Sequence, residues 1–279
     1  MDLALKAPLP ADRSLAQVRQ HYLVEKAIAD RLRAASREER QALYAVMYTE
    51  LFAQVPDHPR LRRRESAVLT RSANISKLRV VARFLHPEAV FVEFGPGDCR
   101  FAVEAARRVR RVIGVDISDQ SGSLDQRPDN LQLVVYDGYN LDLPAACADV
   151  VFSDQLIEHF HPEDTRLHFE LAHRLLRPGG RYVFRTPHAF TGPHDVSRYF
   201  CDEPQGFHLK EWTYRELGDL LREVGYADRY GLWRLRGRYF RLPFAYYATV
   251  ERVLAGRPKA QKRLLARYLI RELCMVAER

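Results

Sequence analysis

Three acids stand at the ends of short apolar runs: Glu93 in VFVEFGPGD, Asp116 in RVIGVD and Asp137 in LQLVVYDG. After Glu93 the chain turns through Gly95, Pro96 and Gly97 and opens a helix-like segment at Asp98. Strand, glycine turn and helix start are how an α/β domain builds a ligand site at the carboxyl end of a strand. Glycine lets a ligand approach the backbone because no Cβ stands in the way. A dinucleotide fingerprint would need a third glycine where Arg100 stands, so pyrophosphate binding is poorly supported. A carboxylate at the neighbouring strand tip, Asp116, suits a ribose diol, which donates two charge-assisted hydrogen bonds. Asp137 on the next tip is placed for an adenine amino group. Three acids on successive tips suit a cationic nucleoside cofactor better than an anionic one.

The candidates for moving a proton are histidines and one acid. Asp154 and Gln155 follow the run ADVVFS, and His159 lies just beyond them in LIEHF. His188 and His194 share the segment TPHAFTGPHD with Asp195. The competing reading of each histidine is local structure, and for His208 and the remaining histidines that reading is preferred. No compact carboxylate or histidine spacing points to a metal. Cys99, Cys147, Cys201 and Cys274 have no C-x-x-C spacing and read as reduced thiols of a cytoplasmic protein.

The elements that must position these residues come next. Residues 1–85 read as a helical extension. Ser14 caps a first helix, and Ser36 with Glu39 makes a capping box for a second that ends before Pro56. The basic DHPRLRRR segment reads as a solvated connector, and a further helix from Ser72 or Asn74 stops before Pro87. From Val90 onward, strands at 90–94, 111–116, 131–136, 148–153 and 180–185 alternate with helices near 98–109, 162–176 and 213–224. That alternation predicts a parallel sheet with helices on both faces. Two last strands, 226–233 and 273–277, enclose a basic, aromatic-rich stretch at 235–270, expected to be an inserted helical flap.

Over about residues 90–225 the sequence resembles the class I S-adenosylmethionine-dependent methyltransferases. VEFGPGD is similar to the first cofactor motif, VIGVDIS to the second and VVYDGYNLDLP to the third. ADVVFSDQLIEHF resembles the fourth, and LRPGGRYVFRTPH the segment running into the fifth strand. The resemblance implies a Rossmann-like, seven-stranded, mostly parallel sheet with residues 86–279 as the cofactor-binding domain. It also assigns Glu93, Gly95 and Gly97 to the methionine portion and Asp116 to the ribose. Ile117 would pack on the adenine, Asp137 and Gly138 would bind its edge, and Asp154 and Gln155 would meet the methionine end.

The resemblance implies methyl transfer by in-line displacement, with His159, His188, His194 or Asp154 as the base for an oxygen nucleophile. The segment 186–210 is long for a connection and reads as a lid or substrate wall. Its softer likeness to polysaccharide and natural-product enzymes favours O-methylation of a small molecule or glycan. An RNA or protein methyltransferase, and a non-catalytic binding subunit, are the alternatives. Among the 279 residues, Lys and Arg exceed Asp and Glu by a net charge of +8, which admits an anionic partner. The basic residues are spread along the chain, so nucleic acid is disfavoured without being excluded. No run is long enough to span a membrane and no secretory leader is expected. A homodimer is an open alternative.

Overall fold

The computed structural model describes residues 3–122 and 127–279. Eight strands form one sheet: β1 (Val90–Phe94), β2 (Arg111–Asp116), β3 (Leu131–Val135), β4 (Ala148–Asp154), β5 (Leu176–Thr186), β6 (Asp228–Leu235), β7 (Arg238–Pro243) and β8 (Leu273–Glu278). Their order is β3-β2-β1-β4-β5-β8-β6-β7. The first five pair parallel, and β8 lies antiparallel between β5 and β6. The order reverses between β1 and β4, which leaves a crevice beyond their carboxyl ends, the place where such sheets bind ligands.

Side-chain alternation explains the two covered faces. Val90, Val92 and Phe94 join one core with α6 (Pro162–Leu175) and α7 (Tyr214–Val224). Phe91 points the other way, into a core with α4 (Ala67–Val81) and α5 (Arg100–Ala106). There Phe91 packs on Phe101 and Phe152 at ring-centroid separations of 6.3 and 6.1 Å. Burying rings of this size contributes about 1.5–3 kcal/mol each.

The sheet has eight strands, not the seven expected. The added strand, β7, comes from the stretch expected to be a helical flap, and it pairs antiparallel with β6 around Arg236 and Gly237, both at positive φ. Only the remainder, α8 (Phe244–Ala255) and α9 (Lys259–Leu269), is helical. Tyr247 of α8 stacks on Tyr214 with ring centroids 3.9 Å apart, so these aromatics are core.

Two further helices, α1 (Leu15–Ala34) and α2 (Arg37–Gln54), begin with capping boxes at Ser14–Gln17 and Ser36–Glu39. They pack with Phe207 and Leu209 in a separate apolar cluster. A buried ion pair fixes α2 to α6: Arg40 Nε and Nη2 each reach Asp164 at 2.8 Å. DHPRLRRR is not a connector throughout. Its Pro59–Glu65 portion is a helix, α3, capped by His58, whose ring accepts from the Arg60 backbone amide. The next helix, α4, starts at Ala67 under a Ser66 cap, earlier than either expected start. No helix among the described residues is long and apolar enough to cross a membrane.

Candidate functional site

The turn after β1 is shaped for close approach. Gly95 and Gly97 sit at φ +67° and +57°, where an L side chain is strained, and a Cβ on Gly95 would meet Leu156 at 3.0 Å. The Gly97 amide donates to Asp116 Oδ2 at 3.0 Å and the Ile117 amide to Oδ1 at 2.8 Å. Burial raises the Asp116 carboxyl above its ordinary value, and these backbone donors partly offset that. Each oxygen keeps a lone pair for an incoming donor. The strand-tip acid and the glycine turn are therefore one hydrogen-bonded unit.

A cavity of about 530 Å³ opens over this unit. Its floor is Gly95–Gly97, Asp116, Ile117, Gly138, Asp154 and Gln155, and its roof is α2, α3 and α4, through Tyr44, Arg60, Arg64 and Lys77. Lys77 Nζ lies 3.0 Å from Glu93 Oε1, while Glu93 Oε2 is buried with no hydrogen-bond partner among the described residues. Glu93 thus stands behind the cavity wall, with one oxygen unused. A backbone turn open to ligand and a buried carboxylate with lone pairs to spare at the neighbouring strand tip fit a nucleoside cofactor.

At the tip of β4, Asp154 lines the cavity but is gripped by Arg185, Nε to Oδ1 at 2.6 Å and Nη2 to Oδ2 at 2.9 Å. Burial pushes its carboxyl up, and Arg185 outweighs burial and holds it below the ordinary value, leaving a poor proton acceptor. His159 also lines this cavity, and it shares a second one of about 490 Å³ with Glu158, His194, Asp195 and His208. Its Nδ1 is 2.9 Å from the Phe207 carbonyl oxygen, which can only accept, so Nδ1 carries the hydrogen and Nε2 a lone pair. Burial and the positive charges of His208 and Arg60 push His159 down to about 3. Burial pushes the adjacent Glu158 up to about 7. His208 is up at about 9: burial pulls it down, and Glu211, Glu158 and Asp195 overcome that.

Besides Glu93, which is buried behind the lining of the cofactor cavity, three expected site residues are placed differently. Asp137 does not line the cavity; its carboxylate accepts from the Tyr139 and Asn140 amides, Asn140 Nδ2 and Gln41 Nε2, so it ties a turn. His188 is fully buried away from both cavities, with Nε2 2.7 Å from Glu251 and Nδ1 accepting from the Phe190 amide. With both nitrogens spent it is structural, not a base. His194 borders only the second cavity, and its two nitrogens face Glu211 at 3.1 Å and Thr191 at 3.0 Å. Residues of α3 and α4 were not expected at the site; Pro59 after His58 was the available sign of a helix start. Glu158 and His208 were also missed as neighbours of His159. No described residue of 235–270 lines either cavity, so that stretch does not close the site.

Comparison with known proteins agrees with this geometry. Residues 92–184 match a family model described as "Methyltransferase domain". This span, from β1 into β5, resembles a methyltransferase domain. No curated protein matches in sequence. Among solved structures, the chain is similar to 1,6-didemethyltoxoflavin-N1-methyltransferase of Burkholderia thailandensis, crystallised with S-adenosylhomocysteine. The identity is 18% and the TM-score 0.54, covering 88% of this chain and 91% of that one. A SAM dependent methyltransferase from Archaeoglobus fulgidus matches at 18% identity and TM-score 0.52, over 75% and 94% of the two chains. Phosphoethanolamine N-methyltransferase 1 of Haemonchus contortus matches at 17% and 0.52, over 71% of this chain and 42% of that one. The chain thus has the Rossmann-like methyltransferase fold of these structures.

Proposed function

We propose that this protein is an S-adenosylmethionine-dependent methyltransferase that methylates a hydroxyl of a small, polyhydroxylated acceptor such as a glycan unit. The methyltransferase-domain match and the cofactor-bound neighbours support the enzyme class and the cofactor. S-adenosylmethionine supplies an electrophilic sulfonium methyl. Asp116 would hold the ribose, Gly95 and Gly97 the methionine backbone, and Ile117 and Gly138 the adenine side. Asp154, fixed by Arg185, would face the methionine end.

The observation that carries the acceptor reading is His159, whose ring borders both the cofactor cavity and the second cavity. Its Nε2 lone pair would accept a hydrogen bond from an acceptor hydroxyl. An oxygen nucleophile needs such a partner more than a neutral amine does. The second cavity presents Arg13, Glu158, His194, Asp195 and His208, a polar wall suited to many hydroxyls. The roof of α2–α4 would shield the reacting centre from water. Methyl-labelled S-adenosylmethionine incubated with pools of sugars, glycans and amines tests this reading. Label in a methyl ether supports it; label only in amines overturns the oxygen assignment.

A further inference from the structure

Glu158, His159 and His208 each offer a ligand atom, and those atoms lie within 4.8 Å of one another. Their other atoms are already committed. His159 gives its Nδ1 hydrogen to the Phe207 carbonyl, which leaves Nε2 as a lone pair. His208 Nδ1 faces the Glu211 carboxylate at 2.8 Å and keeps its hydrogen there, so an ion would bind Nε2 and release to solvent the second hydrogen of the charged ring. Glu158 Oε2 accepts from Thr186 Oγ1 at 2.8 Å, while Oε1 is buried with no hydrogen-bond partner among the described residues. Metal-bound histidines commonly hold a carboxylate or backbone carbonyl on the far nitrogen, as both do here.

A second cluster of similar composition fails the same test. His21, Glu25 and His58 also lie within ligand range. Arg13 Nη1, which can only donate, faces His21 Nδ1 at 2.8 Å, and the Arg60 amide donates to His58 Nδ1. Both rings must therefore carry hydrogen on Nε2, toward Glu25, and neither has a lone pair left for an ion.

We infer that Glu158, His159 and His208 form a binding site for one divalent transition-metal ion. Two imidazoles and one carboxylate, with further coordination positions left over, suit Zn²⁺, Fe²⁺, Mn²⁺ or Co²⁺ better than Mg²⁺ or Ca²⁺. Bonds of about 2.0–2.2 Å require the three side chains to draw in slightly. All three border the second cavity, so with the ion on His159 Nε2 the acceptor oxygen would bind the ion in place of a hydrogen bond to that nitrogen. This last point rests on the hydroxyl-acceptor reading above; the ion site itself does not.

The test is a titration of chelator-treated protein with Co²⁺, read by visible absorbance, without cofactor or acceptor. One equivalent with a nitrogen-and-oxygen ligand-field spectrum is expected. Glu158→Gln and His208→Gln should each weaken binding about 10-fold or more, while His21→Gln leaves the stoichiometry unchanged. Wild-type protein that takes up no Co²⁺ overturns the inference, as does binding lost in His21→Gln but retained in the other two variants. Titration of the same samples with S-adenosylhomocysteine separates the two claims. Cofactor binding without metal binding removes only the ion site, and the reverse removes only the proposed function.

Discussion

His159 Nδ1 and the Phe207 carbonyl oxygen lie 2.9 Å apart, joining the segment after β4 to the long segment after β5. This contact sets the tautomer, with the hydrogen on Nδ1 and the lone pair on Nε2. His159→Gln is expected to lower turnover by about 10-fold, the scale of one lost hydrogen bond to the acceptor hydroxyl, while leaving cofactor affinity unchanged. Steady-state kinetics with parallel cofactor calorimetry checks this, and undiminished turnover would remove His159 from the mechanism.

Asp116 is bound to the glycine turn through the Gly97 amide, so in the proposed role it would serve the ribose and the turn together. Asp116→Ala should weaken cofactor binding by about 1.5–3 kcal/mol, the usual scale for a hydrogen bond to a charged group. Unchanged affinity by calorimetry would sink the ribose assignment.

Arg40 and Asp164 hold the helical roof to the sheet domain, with Tyr139 Oη also donating to Asp164 at 2.9 Å. Arg40→Met strands a buried carboxylate and should cost about 3–5 kcal/mol in urea unfolding. Burial pushes Asp164 up, but Arg40 and Tyr139 hold it below its ordinary value of 3.8. Its contribution is therefore fully present above pH 3.8 and fades as pH falls through the lower folded value. Wild type should lose this increment on acidification below that point, and Arg40→Met should not. Parallel acid titrations with equal losses would contradict the pairing.

The charge of the chain does not require nucleic acid. RNA binding should be no tighter than about 10⁻⁴ M at physiological salt, the weak end of non-specific binding. Micromolar binding with a steep salt slope would revive the RNA alternative.

Much of the frame was legible because its signals are local. The Ser14 and Ser36 caps and the apolar runs ending at Glu93 and Asp116 depend on neighbours a few residues away. β7 was hidden because RYFRLP is basic and ends in proline, and only the Arg236–Gly237 turn hinted at a hairpin. The seven-residue α3 carries three arginines in its last turn and buries no side chain, so it shows no apolar period. At the site, Asp116 and Asp137 look alike in sequence, both ending strands. They differ because Asp116 meets the glycine turn, whereas Asp137 meets Asn140 and Gln41. His188 could not be read as structural without Glu251, distant in sequence and supplied by α8.

The most direct test of the central claim is calorimetric titration of the wild-type protein with S-adenosylhomocysteine. The proposed function predicts one equivalent bound, with affinity reduced in Asp116→Ala and preserved in His159→Gln. No saturable binding by correctly folded wild-type protein would contradict it.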